Sequence, residues 1–200
     1  MSAALQVIGV VLAAGASTRA GQAKALATLD GEALVKRACR LLRDAGVDDV
    51  IVVVGLPHGD AVARLCQARV VQNPEPSRGM LSSLRLGLEL AQSLSADAMF
   101  VALVDHPRVR PDTARALYAE WRRSRAPLVR PRHAGRRGHP YLIDAKFSSQ
   151  LLALRDEESP RPLFDAVSGA VELDVDDPGV LEDLDTATDL DAAGVQPALS

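Results

Sequence analysis

The sequence predicts a Rossmann-like α/β protein, with a mostly parallel sheet between two layers of helices in a three-layer α/β/α arrangement. Two observations predict this fold class. Short apolar runs rich in β-branched residues alternate with segments of helical spacing, in the order β-α-β-α-β-α-β over the first 104 residues. The apolar runs show no polar alternation, which is typical of strands buried on both faces of a sheet. The length of 200 residues predicts one domain over residues 1–200.

The regular part of the pattern gives the individual elements. Strands are predicted at Val7–Leu12, Val50–Val54, Arg69–Gln72 and Ala98–Val104, and helices at Leu34–Ala45, His58–Ala68, Met80–Leu94 and Pro111–Arg123. In the less regular part, Leu128–Arg130 and Tyr141–Ile143 are predicted to pair as antiparallel strands. Short helices are predicted at Phe147–Leu154, Pro162–Val167 and Thr186–Ala193, and a strand at Ala170–Asp174. The residues from about Val195 are expected to fray.

Composition excludes several classes of function. The formal net charge is −3, which argues against a generally basic nucleic-acid-binding protein. No apolar run is long enough to predict a membrane span, and the N-terminal run lacks the preceding Lys or Arg of a signal peptide, so a cytoplasmic protein is expected. Cys39 and Cys66 lie in helix-like segments and are expected to be core residues rather than metal ligands or a disulfide.

Charge is spread unevenly along the chain. Seven Arg and no acidic residue occur between Arg122 and Arg137, whereas thirteen Asp or Glu and one Arg occur between Asp156 and Ser200. Two interpretations are open: both segments are solvated faces, or a basic loop that binds an anion opposes an acidic, cation-binding segment.

Three polar segments directly follow predicted strands: Ala13–Lys24, Asn73–Ser83 and Asp105–Pro107. Ligands of open parallel sheets bind beyond the carboxyl ends of the strands, so these segments are expected to share one crevice.

The segment Ala13–Lys24 suits a polyphosphate. Its small residues let backbone N–H groups approach an anion, and Arg19 and Lys24 add two positive charges. The spacing is neither that of the P-loop nor that of the dinucleotide fingerprint. The alternative is an ordinary strand-to-helix turn with two solvated cations.

Five ordered motifs resemble those of the MobA-like nucleotidyltransferases, and most closely the molybdenum cofactor cytidylyltransferases. They are G-x-S-x-R-x-G-x-x-K at Gly15–Lys24, then Asn73–Leu88, Val104–Pro107, Gly135–Ile143 and Asp177–Leu190. The resemblance implies a fold of the nucleotide-diphospho-sugar transferase type. Ala20, His106 and Ala187 depart from the family pattern, in which Met, Gln and Pro are common, and His106 leaves the acceptor open.

The resemblance also implies the roles of the loop residues. It assigns nucleotide binding to the backbone of Leu12, Ala13, Ala14 and Gly15, together with Lys24, and contacts with base and ribose to Asn73, Gly79 and Ser83, of which Ser83 is matched to the base. Ala14 in place of a second glycine suggests a cytosine-preferring site. Arg19 and Lys24 would neutralise the triphosphate and the charge that develops during transfer.

Asp105 is the leading candidate metal ligand, because a carboxylate at the end of a buried strand suits Mg²⁺ (or Mn²⁺). Asp183 and Asp185 are two residues apart and share a face of an extended segment, so either could be the second ligand, and we favour Asp185. Asp189 is expected to cap or solvate the last helix.

The loop that contains Arg136, Arg137 and His139 is a candidate acceptor site. Arg137 and His139 could bind the phosphate of the acceptor, or the loop could simply be solvated. The implied partners are CTP (or another nucleoside triphosphate), a molybdopterin-type or other phosphorylated small-molecule acceptor and, as a further candidate, a molybdoenzyme apoprotein; neither nucleic acid nor a membrane is expected.

The sequence favours a cytidylyl transfer from CTP to the phosphate of molybdopterin, with release of pyrophosphate. Close variants would use GTP or a different phosphorylated acceptor. A second hypothesis is a non-catalytic chaperone that delivers a matured cofactor. A glycosyltransferase ranks third, because it would need Asp-x-Asp after a central strand, where this chain has Asp105-His106-Pro107.

Overall fold

The computed structural model describes residues 5–15, 24–47, 49–56, 58–155 and 158–197. The strands within them are β1 (Val7–Ala13), β2 (Thr28–Leu29), β3 (Glu32–Ala33), β4 (Val50–Gly55), β5 (Arg69–Asn73), β6 (Ala98–Leu103), β7 (Leu128–His133), β8 (Arg136–Arg137), β9 (Tyr141–Asp144) and β10 (Val171–Asp174). The helices are α1 (Leu34–Asp44), α2 (Gly59–Cys66), α3 (Met80–Ser93), α4 (Pro111–Ser124), α5 (Ala145–Leu152), α6 (Arg161–Ala166) and α7 (Ala187–Ala192). Three short 3₁₀ turns occupy Lys24–Leu26, Pro76–Arg78 and Pro178–Leu181.

The main sheet has the strand order β10-β7-β9-β6-β1-β4-β5, with β8 paired to β7. Strands β5, β4, β1 and β6 are parallel, β9 runs antiparallel to β6 and β7, and β10 runs parallel to β7. The mostly parallel sheet and the antiparallel pairing of β7 with β9 confirm the sequence predictions.

Strand β1 divides the hydrophobic interior into two cores, because successive side chains of a strand point to opposite faces. Val7 and Val11 pack with helices α1, α2 and α4, whereas Ile8, Val10 and Leu12 pack with α3 and α5. Every one of these β1 side chains is at least nine-tenths buried. The helices therefore cover both faces of the sheet, which confirms the predicted three-layer arrangement.

Cys39 and Cys66 are buried in the same core and form no disulfide, which confirms their interpretation as core residues. No helix in the described ranges is both long and apolar enough to cross a membrane.

The prediction that the chain frays from about Val195 is wrong for its first two residues. Val195 is buried and its N–H donates to the carbonyl of Leu190. Gln196 exchanges two backbone hydrogen bonds with Thr28, which lies in the β2–β3 hairpin. This hairpin was not predicted, because two-residue strands carry too short a pattern. Its turn, Asp30-Gly31, has positive φ at both residues, the geometry that favours Asp-Gly in tight hairpins.

Candidate functional site

The candidate site lies at the carboxyl ends of β1 and β6, two central neighbouring strands of the sheet. From β1 the chain moves to β4 and β5 on one side and then returns to β6 on the other side. The residues that follow β1 and β6 therefore flank the point at which the strand order reverses, where open α/β sheets bind ligands. Ala14 and Gly15 follow β1, and Asp105 lies two residues beyond the end of β6.

A lysine joins two acidic residues across this crevice. The Nζ atom of Lys24 lies 3.2 Å from Oδ1 of Asp185 and 3.8 Å from Oδ2 of Asp105. The side chains of Lys24 and Asp105 are mostly buried, whereas that of Asp185 is 66% exposed. Residues at least 80 positions apart in the sequence thus form one charged cluster.

Asp105, His106 and Asp183 can offer a shared cation three ligand atoms. One ligand atom from each residue lies within 4.8 Å of the others. The Oδ1 atom of Asp105 is buried, has no hydrogen-bond partner among the described residues, and lies 4.0 Å from Nε2 of His106. Ligand atoms around an octahedral ion of the size of Mg²⁺ are about 3–4 Å apart, so these groups need only small movements to fit a divalent cation.

The cluster carries more negative charge than it can neutralise by itself. Burial, together with the negative charges of Asp105 and Asp185, raises the pKa of Asp183 to about 6. Burial also lowers the pKa of His106, although the charge of Asp105 opposes this effect, and it lowers the pKa of His139 to about 3. Two neutral imidazoles therefore stand beside a carboxylate group that is ready to accept a cation.

Backbone hydrogen bonds bring the acidic segment, residues 177–185, onto the crevice. The N–H of Leu184 donates to the carbonyl of Asp105 over 3.0 Å, and the N–H of His139 donates to the carbonyl of Val180 over 2.9 Å. Gly138 permits this approach, because a Cβ atom there would overlap the carbonyl oxygen of Val180. The close packing explains how Asp183 and Asp185, on either side of Leu184, reach Asp105.

Asp177 anchors the start of this segment. Its side chain is 2% exposed and accepts hydrogen bonds from the N–H of Arg110, the hydroxyl of Thr113 and the N–H of Gly179, at 2.9, 2.7 and 3.0 Å. A buried carboxylate with three donors is well compensated for its loss of water. Asp177 therefore fixes the acidic segment to the start of α4.

The segment Asn73–Ser83, which follows β5, is the second loop of the site. It is fixed by Asn73, at the carboxyl end of β5. Its side chain is 2% exposed, and its Nδ2 donates to the hydroxyls of Ser82 and Ser83, both at 2.9 Å. Gly79, with φ of +93°, turns the chain into α3, whose first residues face the same edge of the sheet. Asn73 therefore ties the carboxyl end of β5 to the first turn of α3, and Ser83 itself is buried.

The first loop of the site is the segment Ala13–Lys24, which the structure describes as far as Gly15 and again at Lys24. Leu12 and Ala14 are buried, and the carbonyl of Ala14 lies against Gly55, at the end of the neighbouring strand β4. Arg19 lies outside the described residues.

The two candidate acceptor-binding residues differ in their surroundings. The ring of His139 lies 5.0 Å from that of His106, at the edge of the cation-binding cluster. Arg137, on β8, instead forms 2.6 Å ion pairs with Asp165 and Glu172. Arg137 could hold an acceptor only by releasing or sharing these carboxylates, whereas His139 already adjoins the cluster.

Which of Asp183 and Asp185 is the second metal ligand stays a prediction, and the two residues have different neighbours. Asp183 shares the possible cation position with Asp105, whereas Asp185, favoured from the sequence, pairs with Lys24. Spacing alone showed that the two residues share a face but not which one faces Asp105. Asp189 forms a capping box with Thr186 at the start of α7, which confirms its expected role.

Sequence reasoning missed two residues of the site. In the sequence, His106 was evident only as a departure from the family pattern. Its position next to Asp105, a candidate metal ligand, could have indicated that it is a further candidate ligand. Asp177 entered only as the first residue of a motif, and nothing in its local sequence indicates three distant hydrogen-bond donors.

This fold and charged crevice define a nucleotidyltransferase of the α/β class. The chain belongs to the MobA-like NTP transferase domain family, which it matches over residues 9–171. Solved nucleotidyltransferases share the architecture, which confirms the nucleotide-diphospho-sugar transferase type of fold.

Similar proteins cover most of the chain. The purine catabolism protein PucB of Bacillus subtilis is 29% identical over 199 residues, which cover 92% of this chain and 94% of PucB. A probable molybdenum cofactor guanylyltransferase of Opitutus terrae is 32% identical over 125 residues, 61% of this chain and 59% of the relative. The crystal structure of Rv0371c from Mycobacterium tuberculosis is 27% identical with a TM-score of 0.80, and 94% of this chain and 97% of that chain are covered.

Replacing Asp177 tests the anchor of the acidic segment. Asp177→Ala should lower the free energy of unfolding by about 2–4 kcal/mol, because it leaves the buried Thr113 hydroxyl and two backbone N–H groups without an acceptor. Urea denaturation measures the change. The exposed neighbour Asp176 provides the control, and Asp176→Ala should change stability by less than about 1 kcal/mol. Equal effects of the two substitutions would contradict the role given to Asp177.

Replacing Asp183 tests the electrostatic cost of the cluster in the absence of metal. The pKa of Asp183 is about 6 in the folded protein, above the ordinary value of 3.8. Ionisation of Asp183 therefore lowers the free energy of unfolding as the pH rises from about 4 to 6. Asp183→Asn should therefore raise the melting temperature at pH 7.5 in EDTA by roughly 1–3 °C, and much less at pH 4. Thermal denaturation at both pH values measures this, with the exposed Asp191→Asn as control. A gain that is independent of pH would contradict the assignment.

Proposed function

We propose that the protein transfers a cytidylyl group from CTP to the phosphate of a molybdopterin-type acceptor. In this reaction an oxygen of the acceptor phosphate attacks the α-phosphorus of CTP. The bond from the α-phosphorus to the bridging oxygen breaks, and pyrophosphate leaves. The observation that carries the proposal is the cluster of Lys24, Asp105 and Asp183 at the carboxyl ends of β1 and β6, in a chain of the MobA-like family.

The residues of the cluster suit this reaction because it needs positioning and charge neutralisation more than covalent chemistry. Lys24 is mostly buried beside two carboxylates and would place its positive charge against the triphosphate. Arg19 would add a second positive charge from the same loop. Asp105, Asp183 and Asp185 are the proposed ligands of Mg²⁺ (or Mn²⁺), which when bound would neutralise phosphate oxygens and favour attack at phosphorus.

The proposed nucleotide site is formed by residues of the first loop, Ala13–Lys24, and of the second loop, Asn73–Ser83. The backbone of Leu12, Ala13, Ala14 and Gly15 would bind the nucleotide, and Asn73, Gly79 and Ser83 would shape the base and ribose pocket. The family resemblance matches Ala14, in place of a second glycine, to a cytosine-preferring site, which supports CTP. A guanylyltransferase among the relatives keeps GTP as the alternative.

The proposed acceptor site lies on the opposite side of the cluster. His139 adjoins His106, and Arg137 would supply positive charge for a phosphorylated acceptor once it releases or shares Asp165 and Glu172. A different phosphorylated acceptor in place of molybdopterin is the main alternative. We further propose that the protein acts in the cytoplasm and that a molybdoenzyme apoprotein receives the product.

A cofactor-delivery chaperone is the remaining alternative function. A protein that only binds a finished cofactor needs no lysine and carboxylates arranged around a polyphosphate, so the cluster favours catalysis. Pyrophosphate release distinguishes the two, because a chaperone would produce none.

Substituting Asp105 tests catalysis. Asp105→Asn should lower the rate of pyrophosphate release by at least about 100-fold, because a proposed metal ligand is lost while side-chain size is kept. The matched control is Asp191→Asn, an exposed acid of α7, which should retain the rate of the unmodified protein. The assay supplies CTP, Mg²⁺ and a molybdopterin-type acceptor to the full chain. Comparable rates for the two variants would contradict the role of Asp105.

The choice of base is tested separately, by titration with each nucleotide in the presence of Mg²⁺. CTP should bind at least about tenfold more tightly than GTP, a difference of about 1.4 kcal/mol. Ala14→Gly should reduce this preference, because the resemblance matches a second glycine at this position to a guanine-preferring site. Equal affinities for CTP and GTP would contradict the cytosine assignment without affecting the proposed transfer reaction.

A further inference from the structure

His106 is a buried imidazole in contact with the carboxylates of the cluster. Its side chain is 8% exposed, and its Nδ1 is buried without a hydrogen-bond partner in the part of the chain that the structure describes. Its Nε2 lies 4.0 Å from Oδ1 of Asp105, an oxygen that is also buried and unpaired within the same ranges. The ring also forms a hydrogen bond with the backbone of Gly179, so the group next to Nε2 that lacks a partner among the residues described is the Oδ1 atom of Asp105.

The hydrogen bond with the backbone of Gly179 holds the ring of His106, but it leaves the buried Oδ1 of Asp105 without a partner in the described part of the chain. A buried histidine that serves the fold normally donates and accepts hydrogen bonds through its ring, since an unpaired buried polar atom is unfavourable. His133 shows the ordinary case, because its Nδ1 lies 2.9 Å from the carbonyl of Val175. A cation at His106 would satisfy both a ring nitrogen and the unpaired oxygen of Asp105.

We infer that His106 is a nitrogen ligand of the divalent cation held by Asp105 and Asp183, and that it shifts the preference of this site from Mg²⁺ toward Mn²⁺. The inference rests on the proposed function, which supplies the carboxylate ligands. One ligand atom from each of the three residues lies within 4.8 Å of the others. Three protein ligands leave further coordination positions for the phosphate oxygens of a substrate.

Ligand chemistry explains the expected preference. Mg²⁺ binds oxygen almost exclusively and holds its water strongly, whereas transition metals accept imidazole readily. Replacing one oxygen ligand by nitrogen therefore favours Mn²⁺ over Mg²⁺. The neighbouring ring of His139, 5.0 Å from that of His106, is not among the three groups that share the possible cation position.

Electron paramagnetic resonance of Mn²⁺ bound to the full chain tests the inference without requiring turnover. The unmodified protein should bind Mn²⁺ and show electron spin echo modulation from a coordinated nitrogen. His106→Gln should lose this modulation and bind Mn²⁺ at least about tenfold more weakly. Its affinity for Mg²⁺, measured by competition, should change much less. His133→Gln is the matched control and should retain both the modulation and the affinity.

The outcomes separate this inference from the proposed function. Mn²⁺ binding that Asp105→Asn abolishes, but that shows no nitrogen modulation or survives unchanged in His106→Gln, would overturn the role of His106 alone. Failure of the unmodified protein to bind Mn²⁺ would overturn the carboxylate site as well. If His106→Gln does not fold, His106→Asn provides the same comparison, and absence of nitrogen modulation in the unmodified protein still overturns the inference.

Discussion

The site depends on the backbone hydrogen bond between the N–H of Leu184 and the carbonyl of Asp105. This bond aligns the acidic segment with the end of β6, so that Asp183 meets Asp105 and His106 while Asp185 meets Lys24. The buried carboxylate of Asp177 holds the same segment at its start. The proposed cation site and the proposed triphosphate site therefore both depend on one well-anchored contact between distant parts of the chain.

Electrostatics and packing oppose each other in this arrangement. Burial and the nearness of two other carboxylates raise the pKa of Asp183 to about 6, and the fold keeps His106 and His139 largely out of water. These are unfavourable surroundings for ionisable groups in the absence of a ligand. Such local instability is common where side chains are arranged for a ligand rather than for the fold.

Much of the fold and part of the site could be predicted from the sequence. Runs such as Val50–Val54 and helical spacing are local patterns, so the central sheet and its helices followed directly from them. The order of the motifs predicted that Asp105 lies near Asp183 and Asp185. The pairing of Asp185 with Lys24, the position of His106 and the anchoring by Asp177 could not be predicted, because each depends on tertiary contacts. The burial of Val195 was missed for the same reason, since its environment is set by other parts of the chain.

The position of Asp183 late in the chain also bears on biosynthesis. A growing polypeptide that has emerged only as far as β10 already contains Lys24, Asp105 and His106, but not the segment that Leu184 docks onto β6. On the ribosome, the sheet can therefore be assembled before the cation site is complete. The proposed cation site would therefore gain Asp183 only after the segment around Leu184 has emerged and docked.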